Sequence, residues 1–430
     1  MSKKSLGFKE LVAIAIGGMV GGGIFTILGI AISMVGELAP YAIALGGVIA
    51  FFASYSYVKL GVFYKDEGAT YAFFKRTYPN SHLAASFIGW YTIFGYISTI
   101  ALYAYTFASY SVGSLFDIHN VWVQKSVAIS VIFVFALINI WSTKGMGKIE
   151  DILVYTKLLI LFVISGVFLY FGDGDISTHF SMIQDDFAKT PLYAILIVSS
   201  VTFVAYEGFQ LVINAVNEMD KPDINIPKAI YTAIILVATI YFIISLGALW
   251  AIPKADLIAN KEYALAAGAK DILGVYAERF VVFGAILATS SAISGTLFGA
   301  SRQLARISDD GYMPKTLRYR HNLIPTYAII AMALMASLLL LSGGLIVILE
   351  FGSITFLLVS LLMAVANFKI RVQTKSSTFI SLFAIATLSM GSMFILYYEY
   401  TTQPMELVYI LSIYTILSIF AYTYAKLKGK

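Results

Sequence analysis

Residues 17–25 read Gly17-Gly18-Met19-Val20-Gly21-Gly22-Gly23-Ile24-Phe25, inside an apolar stretch that runs from about 9 to 35. The seven positions 17–23 hold five glycines, each of which would cost a helix interior about 1 kcal/mol relative to alanine. One explanation is close helix packing through small residues, as in GxxxG pairs. Such packing needs the small residues on one face, and Gly21, Gly22 and Gly23 point three ways round a helix. The triplet predicts instead a break that frees backbone N–H and C=O groups in mid-span.

The rest of the chain says what medium surrounds that break. Of the 430 residues, 59% are hydrophobic and 12% are charged, whereas soluble domains run at about 45–50% and about 25%. A water-soluble globule is excluded. Twelve apolar stretches are long enough to cross a bilayer as helices, near 9–35, 39–63, 83–115, 126–143, 150–171, 190–217, 228–251, 276–304, 324–342, 346–368, 378–398 and 405–426. Alternating ten-residue segments, the mark of a membrane barrel, are absent. The first span follows Met1-Ser-Lys-Lys-Ser without a small-residue cleavage site and is expected to be retained.

No cysteine occurs, and the four histidines, His82, His119, His179 and His321, fall in polar connecting segments. Neither a metal centre nor any other cofactor is expected. The net charge of +5 reports topology rather than nucleic-acid binding. Twelve spans place both termini on one side, where 22 Lys and Arg fall against six on the other: Lys125, Lys189, Lys254, Lys261, Lys270 and Arg279. Both termini are therefore expected in the cytoplasm of a cell-membrane protein. The longer outside connections, 172–189 and 252–275, carry Asp173, Asp175, Asp185, Asp186, Asp256 and Asp271 and read as solvated loops. The 29 tyrosines and 31 phenylalanines read mostly as lipid-facing or interfacial residues, and Glu350, at the start of the tenth span, as interfacial.

A second interruption lies in the sixth span at Ala205-Tyr206-Glu207-Gly208-Phe209, where a carboxylate enters an apolar run. Breaks in the first and sixth spans point to a transporter of two inverted five-helix repeats: helices 1–5 over 9–171, helices 6–10 over 190–368, and two further helices over 378–426. The half-helix after a break offers amides and a positive dipole end to a carboxylate. The half-helix before it offers carbonyls to an ammonium. One site can hold both ends of a zwitterion.

With GGMVGGGIF (17–25), KLGVFYKDEGATY (59–71), the sixth span through NEMDKPDINIPKAI (217–230) and SSAISGTLFGASRQLARISDDGYMP (290–314), the chain resembles the amino acid–polyamine–organocation superfamily. The resemblance covers nearly the whole chain and implies the LeuT-type fold with helices 1 and 6 broken. It also implies that the amides of Gly21, Gly22 and Gly23 hold a substrate carboxylate, and that the carbonyls of Met19, Val204 and Glu207 take the amino group. The family's bulky aromatic gate aligns with Val204, with Phe203 one place earlier, so the identity of the outer gate stays open; Phe203, Val204 and Tyr206 are expected among the substrate-binding residues.

Lys157 stands about two turns into the fifth span, where a charge costs at least about 2.5–3.5 kcal/mol. Snorkelling to the interface is the plain alternative. The resemblance gives Lys157 the place that a bound cation occupies in sodium-coupled relatives, with the Gly17 carbonyl and the Thr289, Ser290 and Ser291 hydroxyls as neighbours. Proton coupling follows from that placement. Glu207 reads either as an acceptor for freed backbone N–H groups or as a second proton site.

The expected function is proton-coupled amino acid symport by alternating access, without enzymatic activity. The expected partners are an amino acid substrate, protons and membrane lipids, with the protein a monomer or dimer. An exchanger, a cationic amino acid or polyamine carrier, and a transporter-like sensor remain open as alternatives.

Overall fold

The computed structural model describes residues 6–114, 116, 120–141, 146–172, 176–321 and 324–429; Asp173, Asp175 and His119 lie outside them. The first apolar stretch forms two helices, α1 (Phe8–Met19) and α2 (Gly23–Val35), with Val20–Gly22 irregular between them. A turn at Gly36–Leu38 separates α2 from α3 (Ala39–Tyr64), whose Pro40 sits in the first turn, where its missing N–H is harmless. After α4 (Ala69–Thr77), Ser81 caps α5 (His82–Ala108) by accepting from the Ala84 amide. Helices α6 (Val121–Trp141) and α7 (Met146–Phe171) follow.

The sixth apolar stretch is interrupted as the first is. Helix α9 (Leu192–Val201) tightens into a 3-10 turn over Thr202–Tyr206, Glu207 is extended, and the chain resumes at α10 (Leu211–Asn214). Beyond it come α11 (Pro222–Ala251), α14 (Val275–Asp309), α15 (Thr326–Ser342), α16 (Leu345–Lys369), α17 (Thr378–Thr402) and α18 (Pro404–Lys428). The chain is an all-helical, multi-pass membrane protein. Ten of its described segments are long and apolar enough to cross a bilayer, and Thr326–Ser342 is a shorter apolar helix. The 42-residue segment Gly23–Tyr64 counts once among the ten although the turn at Gly36–Leu38 divides it.

The connections over 176–189 and 252–275 are largely helical. Residues 176–189 form α8 (Ile176–Lys189), and 252–275 hold α12 (Lys254–Ala259) and α13 (Ala264–Leu273). Leu257 of α12 and Leu265 and Ala269 of α13 are buried, while Phe180, Met182 and Phe187 of α8 are exposed. Helix α13 packs on α14 and α12 packs on α2.

Inside the bundle α1 packs on α11, α7 and α14, while α3 packs on α11 and α9. Exposed apolar side chains such as Leu137, Phe162, Met393 and Ile419 lie on α6, α7, α17 and α18, as expected of faces turned to hydrocarbon. A minority of the aromatic residues turns inward. Tyr57, Tyr96, Tyr103, Tyr110, Tyr206, Tyr241, Phe25, Phe203 and Phe209 are all buried, because irregular backbone at membrane depth needs hydroxyl donors and close packing around it. Glu350 is likewise buried rather than interfacial, at 2% exposure, since α17 and α18 cover the start of α16.

Candidate functional site

The break in the first span is shaped by what glycine lacks. A Cβ on Gly21 would lie 2.6 Å from the Tyr103 ring, one on Gly22 would lie 2.6 Å from Thr106 Oγ1, and one on Gly23 would lie 2.8 Å from Ala205 Cβ. Two neighbouring elements, α5 and the 3-10 turn over Thr202–Tyr206, thus close on three successive residues. Helix α2 starts at Gly23, and its first outside bond is Thr26 N–H to Gly22 O at 3.2 Å. The amides of Gly22 and Gly23 therefore precede the hydrogen-bonded turn, at the positive end of the half-helix. Gly21 differs: its N–H donates to Met19 O at 3.0 Å.

Hydroxyls around the break reach its carbonyls and those beside it. Tyr103 donates to Gly18 O at 3.2 Å, Tyr110 to Phe25 O at 2.7 Å and Thr26 to Gly22 O at 2.9 Å. Thr26 and Thr106 hydroxyls meet at 2.6 Å. Tyr241 of α11 reaches both breaks, lying 3.0 Å from Met19 O and 3.4 Å from Ala205 O. Sequence inspection missed Tyr103, Tyr110, Tyr241, Thr26 and Thr106, and nothing in a chain with 29 tyrosines would have singled them out.

The second break meets the first directly. Gly208 has φ +126°, and a Cβ there would stand 2.4 Å from the Gly18 carbonyl carbon. Only glycine satisfies both conditions. Next to it the Gln210 side chain accepts from the Gly208 amide at 3.0 Å and donates to Glu207 Oε2 at 2.8 Å and to the Tyr96 hydroxyl at 3.3 Å. The freed N–H is capped by Gln210, not by Glu207. Glu207 Oε1 is buried without a hydrogen-bond partner. The Val204 carbonyl accepts from the Glu207 amide at 3.1 Å.

Phe203 and Val204 are both buried, and Val204 Cγ2 faces Gly352 of α16. Tyr206 turns toward α3, where its hydroxyl donates to Ile43 O at 2.8 Å and its ring lies against Gly46 and Gly47. That orientation fastens the 3-10 turn to α3.

Lys157, on α7, is 1% exposed. Its ammonium donates to Gly17 O at 3.0 Å and to Val20 O at 2.6 Å. Val20 was not anticipated, since a carbonyl ligand carries no side-chain signature. Thr289 of α14 turns its hydroxyl back to Ala285 O at 2.7 Å, Ser290 is half-buried, and Ser291 Oγ is buried without a hydrogen-bond partner. Helices α1, α7 and α14 converge here, with the Lys157 amine against the end of the first half-helix.

Residues 6–422 match the family model described as amino acid permease. An uncharacterized protein of Methanocaldococcus jannaschii is 30% identical over 317 residues, covering 73% of this chain and 71% of that one. The inner membrane transport protein YbaT of Escherichia coli is 31% identical over 319 residues, covering 73% and 71%. The human Asc-type amino acid transporter 1 is 26% identical over 330 residues, covering 74% of this chain and 62% of its own length.

Proposed function

Because the chain belongs to the amino acid permease family, we propose that its transport of amino acids is proton-coupled symport by alternating access, across twelve spans with both termini cytoplasmic. The observation that carries the coupling is the Lys157 ammonium held 3.0 Å from Gly17 O and 2.6 Å from Val20 O. A monovalent cation bound at the same place would take the same carbonyl oxygens. A covalently tethered ammonium that can lose its proton makes the proton the coupling ion and leaves sodium no site there.

The substrate carboxylate is assigned to the amides of Gly22 and Gly23, with Gly21 joining when its own bond to Met19 O opens. The carbonyls of Met19, Val204 and Glu207 face the amino group, and Phe203 or Val204 closes the site. Tyr206 and Tyr241 hold the second break in register. Glu207, whose Oε1 has no hydrogen bond, is the second proton carrier in this reading. The two breaks then belong to the first helices of two inverted repeats, residues 9–171 and 190–368.

Loss of the Lys157 proton would release α7 from the first break, and the resulting state would favour opening to the cytoplasm. A ligand moves such an equilibrium only by its differential affinity for the two states, which the ammonium–carbonyl bonds supply. The test is uptake of a panel of radiolabelled amino acids into proteoliposomes, with an inward proton gradient, an inward sodium gradient, or neither. Accumulation driven by protons and indifferent to sodium is expected. Sodium-driven accumulation would overturn the coupling while leaving the family intact.

A further inference from the structure

Far from both breaks, three glutamates converge where α16 begins, α17 ends and α18 begins. One carboxylate oxygen from each of Glu350, Glu399 and Glu406 lies within 4.8 Å of the others. Glu350 is 2% exposed and Glu399 fully buried, while Glu406 is partly buried and opens the cluster to the surface. Among the described residues none of the three pairs with a lysine or arginine. Both oxygens of Glu399 and Oε2 of Glu350 are buried with no hydrogen-bond partner. The Gln403 amide, with its nitrogen turned to the cluster, reaches only Glu406, at 2.7 Å from both oxygens.

Buried carboxylates are normally paired, hydrogen-bonded or bound to a metal, and an unsatisfied group at such depth calls for an explanation, of which a bound cation is one. The donor set is all oxygen, with no histidine or cysteine, which selects a hard cation. Hydration selects further. Magnesium dehydrates reluctantly and keeps several waters, whereas calcium accepts carboxylate oxygens in flexible geometry. A site whose Glu350 and Glu399 are buried suits calcium, and water entering past Glu406 would complete its shell.

We propose that Glu350, Glu399 and Glu406 form a calcium site that fastens the start of α16 to the α17–α18 hairpin. The site lies at the end of the bundle opposite the chain's C-terminus, which in the proposed topology faces the outside, where calcium is abundant. It is separate from the transport site and does not depend on the coupling ion.

The full-length protein in detergent, stripped with chelator, is titrated with calcium, with magnesium in parallel, and followed by equilibrium binding of radioactive calcium and by thermal unfolding. Saturable binding of one calcium is expected, with a concentration-dependent rise in Tm that magnesium matches only weakly. Glu399→Gln and Glu350→Gln should each weaken calcium binding at least tenfold. They should also raise the calcium-free Tm, because a mutual repulsion is removed. Glu406→Gln, nearer the surface and safest for folding, should weaken binding while leaving calcium-free Tm nearly unchanged. Absence of saturable calcium binding by the unmodified protein would overturn the proposal. So would stabilisation by acid alone with no calcium response, which would mark a proton shared between Glu350 and Glu399, or calcium binding unchanged in all three variants.

Discussion

The backbone of Gly208 rests on the backbone of Gly18, so close that a Cβ on Gly208 would stand 2.4 Å from the Gly18 carbonyl carbon and 2.7 Å from the Met19 nitrogen. The two interrupted helices, about 190 positions apart in sequence, are thus joined main chain to main chain at their interruptions. A movement of one break is felt by the other without any side chain to relay it.

Gly208→Ala should therefore damage both stability and binding. The φ of +126° is strained for any residue with a Cβ, at roughly 1–3 kcal/mol, and the backbone contact adds to that strain because neither partner is a flexible side chain. Thermal unfolding in detergent should show a lower Tm, and substrate affinity should fall at least tenfold. Wild-type affinity in this variant would mean the two breaks are not mechanically joined.

Gly22→Val and Gly23→Val test the carboxylate assignment. A side chain at Gly22 collides with Thr106 and one at Gly23 with Ala205, so the amides would be displaced from the half-helix end that they form. Both variants should insert in the membrane yet lose amino acid binding measured by scintillation proximity. Decarboxylated amines should compete poorly against zwitterions for the unmodified protein, and equal competition would remove the carboxylate from the binding argument.

The division between what could and could not be read from sequence follows where the chemistry resides. Gly21, Gly22 and Gly23 were legible because glycine in a helix carries an intrinsic cost, and Lys157 because a charge at membrane depth does. The ligands of Lys157 were half legible. Gly17 came from the resemblance, but Val20 contributes a carbonyl that any residue would own. Tyr241, 222 positions from Met19, is one tyrosine among many until the fold brings it to both breaks. The connecting helices α8, α12 and α13 were lost in their acidic composition, and Glu350 was misplaced because the hairpin that buries it lies about 50 residues downstream.

Asp186 gives a pH test outside the membrane spans. It accepts from Lys254 at 2.8 Å and from the Glu37 amide at 2.9 Å, joining α8 to α12 and to the turn before α3. Partial burial pushes its carboxyl up, but the Lys254 ammonium and the Glu37 amide outweigh that and hold it below the usual carboxylate range. A depressed folded value means the tie contributes fully above the unfolded pKa of about 3.9 and is lost as pH falls through the folded value. Hydrogen exchange in 176–189 should be slower in the unmodified protein than in Asp186→Asn near neutrality. The gap should narrow as pH falls below about 3.9 and close once pH is below the folded value, and a gap that persists in that acid limit would exclude the ion pair as its source. Its size is expected to be small, because Asp186 and Lys254 are both partly solvated.

Topology can be read by cysteine labelling, since the chain has no native cysteine. Lys189→Cys on α8 and Lys315→Cys after α14 are both exposed. An impermeant maleimide applied to intact cells should label the first and reach the second only after permeabilisation. Labelling of both from one face would contradict the twelve-span reading and the charge asymmetry behind it.

The coupling role of Lys157 makes the sharpest demand. Its ammonium stands against Gly17 O and Val20 O, so the first half-helix keeps its freed carbonyls satisfied only while α7 stays close. Removing the amine in Lys157→Ala leaves those carbonyls without their donor and removes the group that can be protonated. Accumulation driven by a proton gradient should fall at least tenfold, to the level of passive exchange, while some substrate binding persists because the amides of Gly22 and Gly23 are untouched. Lys157→Arg keeps the charge but gives it up far less readily, so it should bind substrate and still fail to accumulate it. A lysine that served only to fill space or to reach the interface would leave pH-driven uptake near normal in both variants. That result, or sodium dependence in the unmodified protein, would separate Lys157 from coupling.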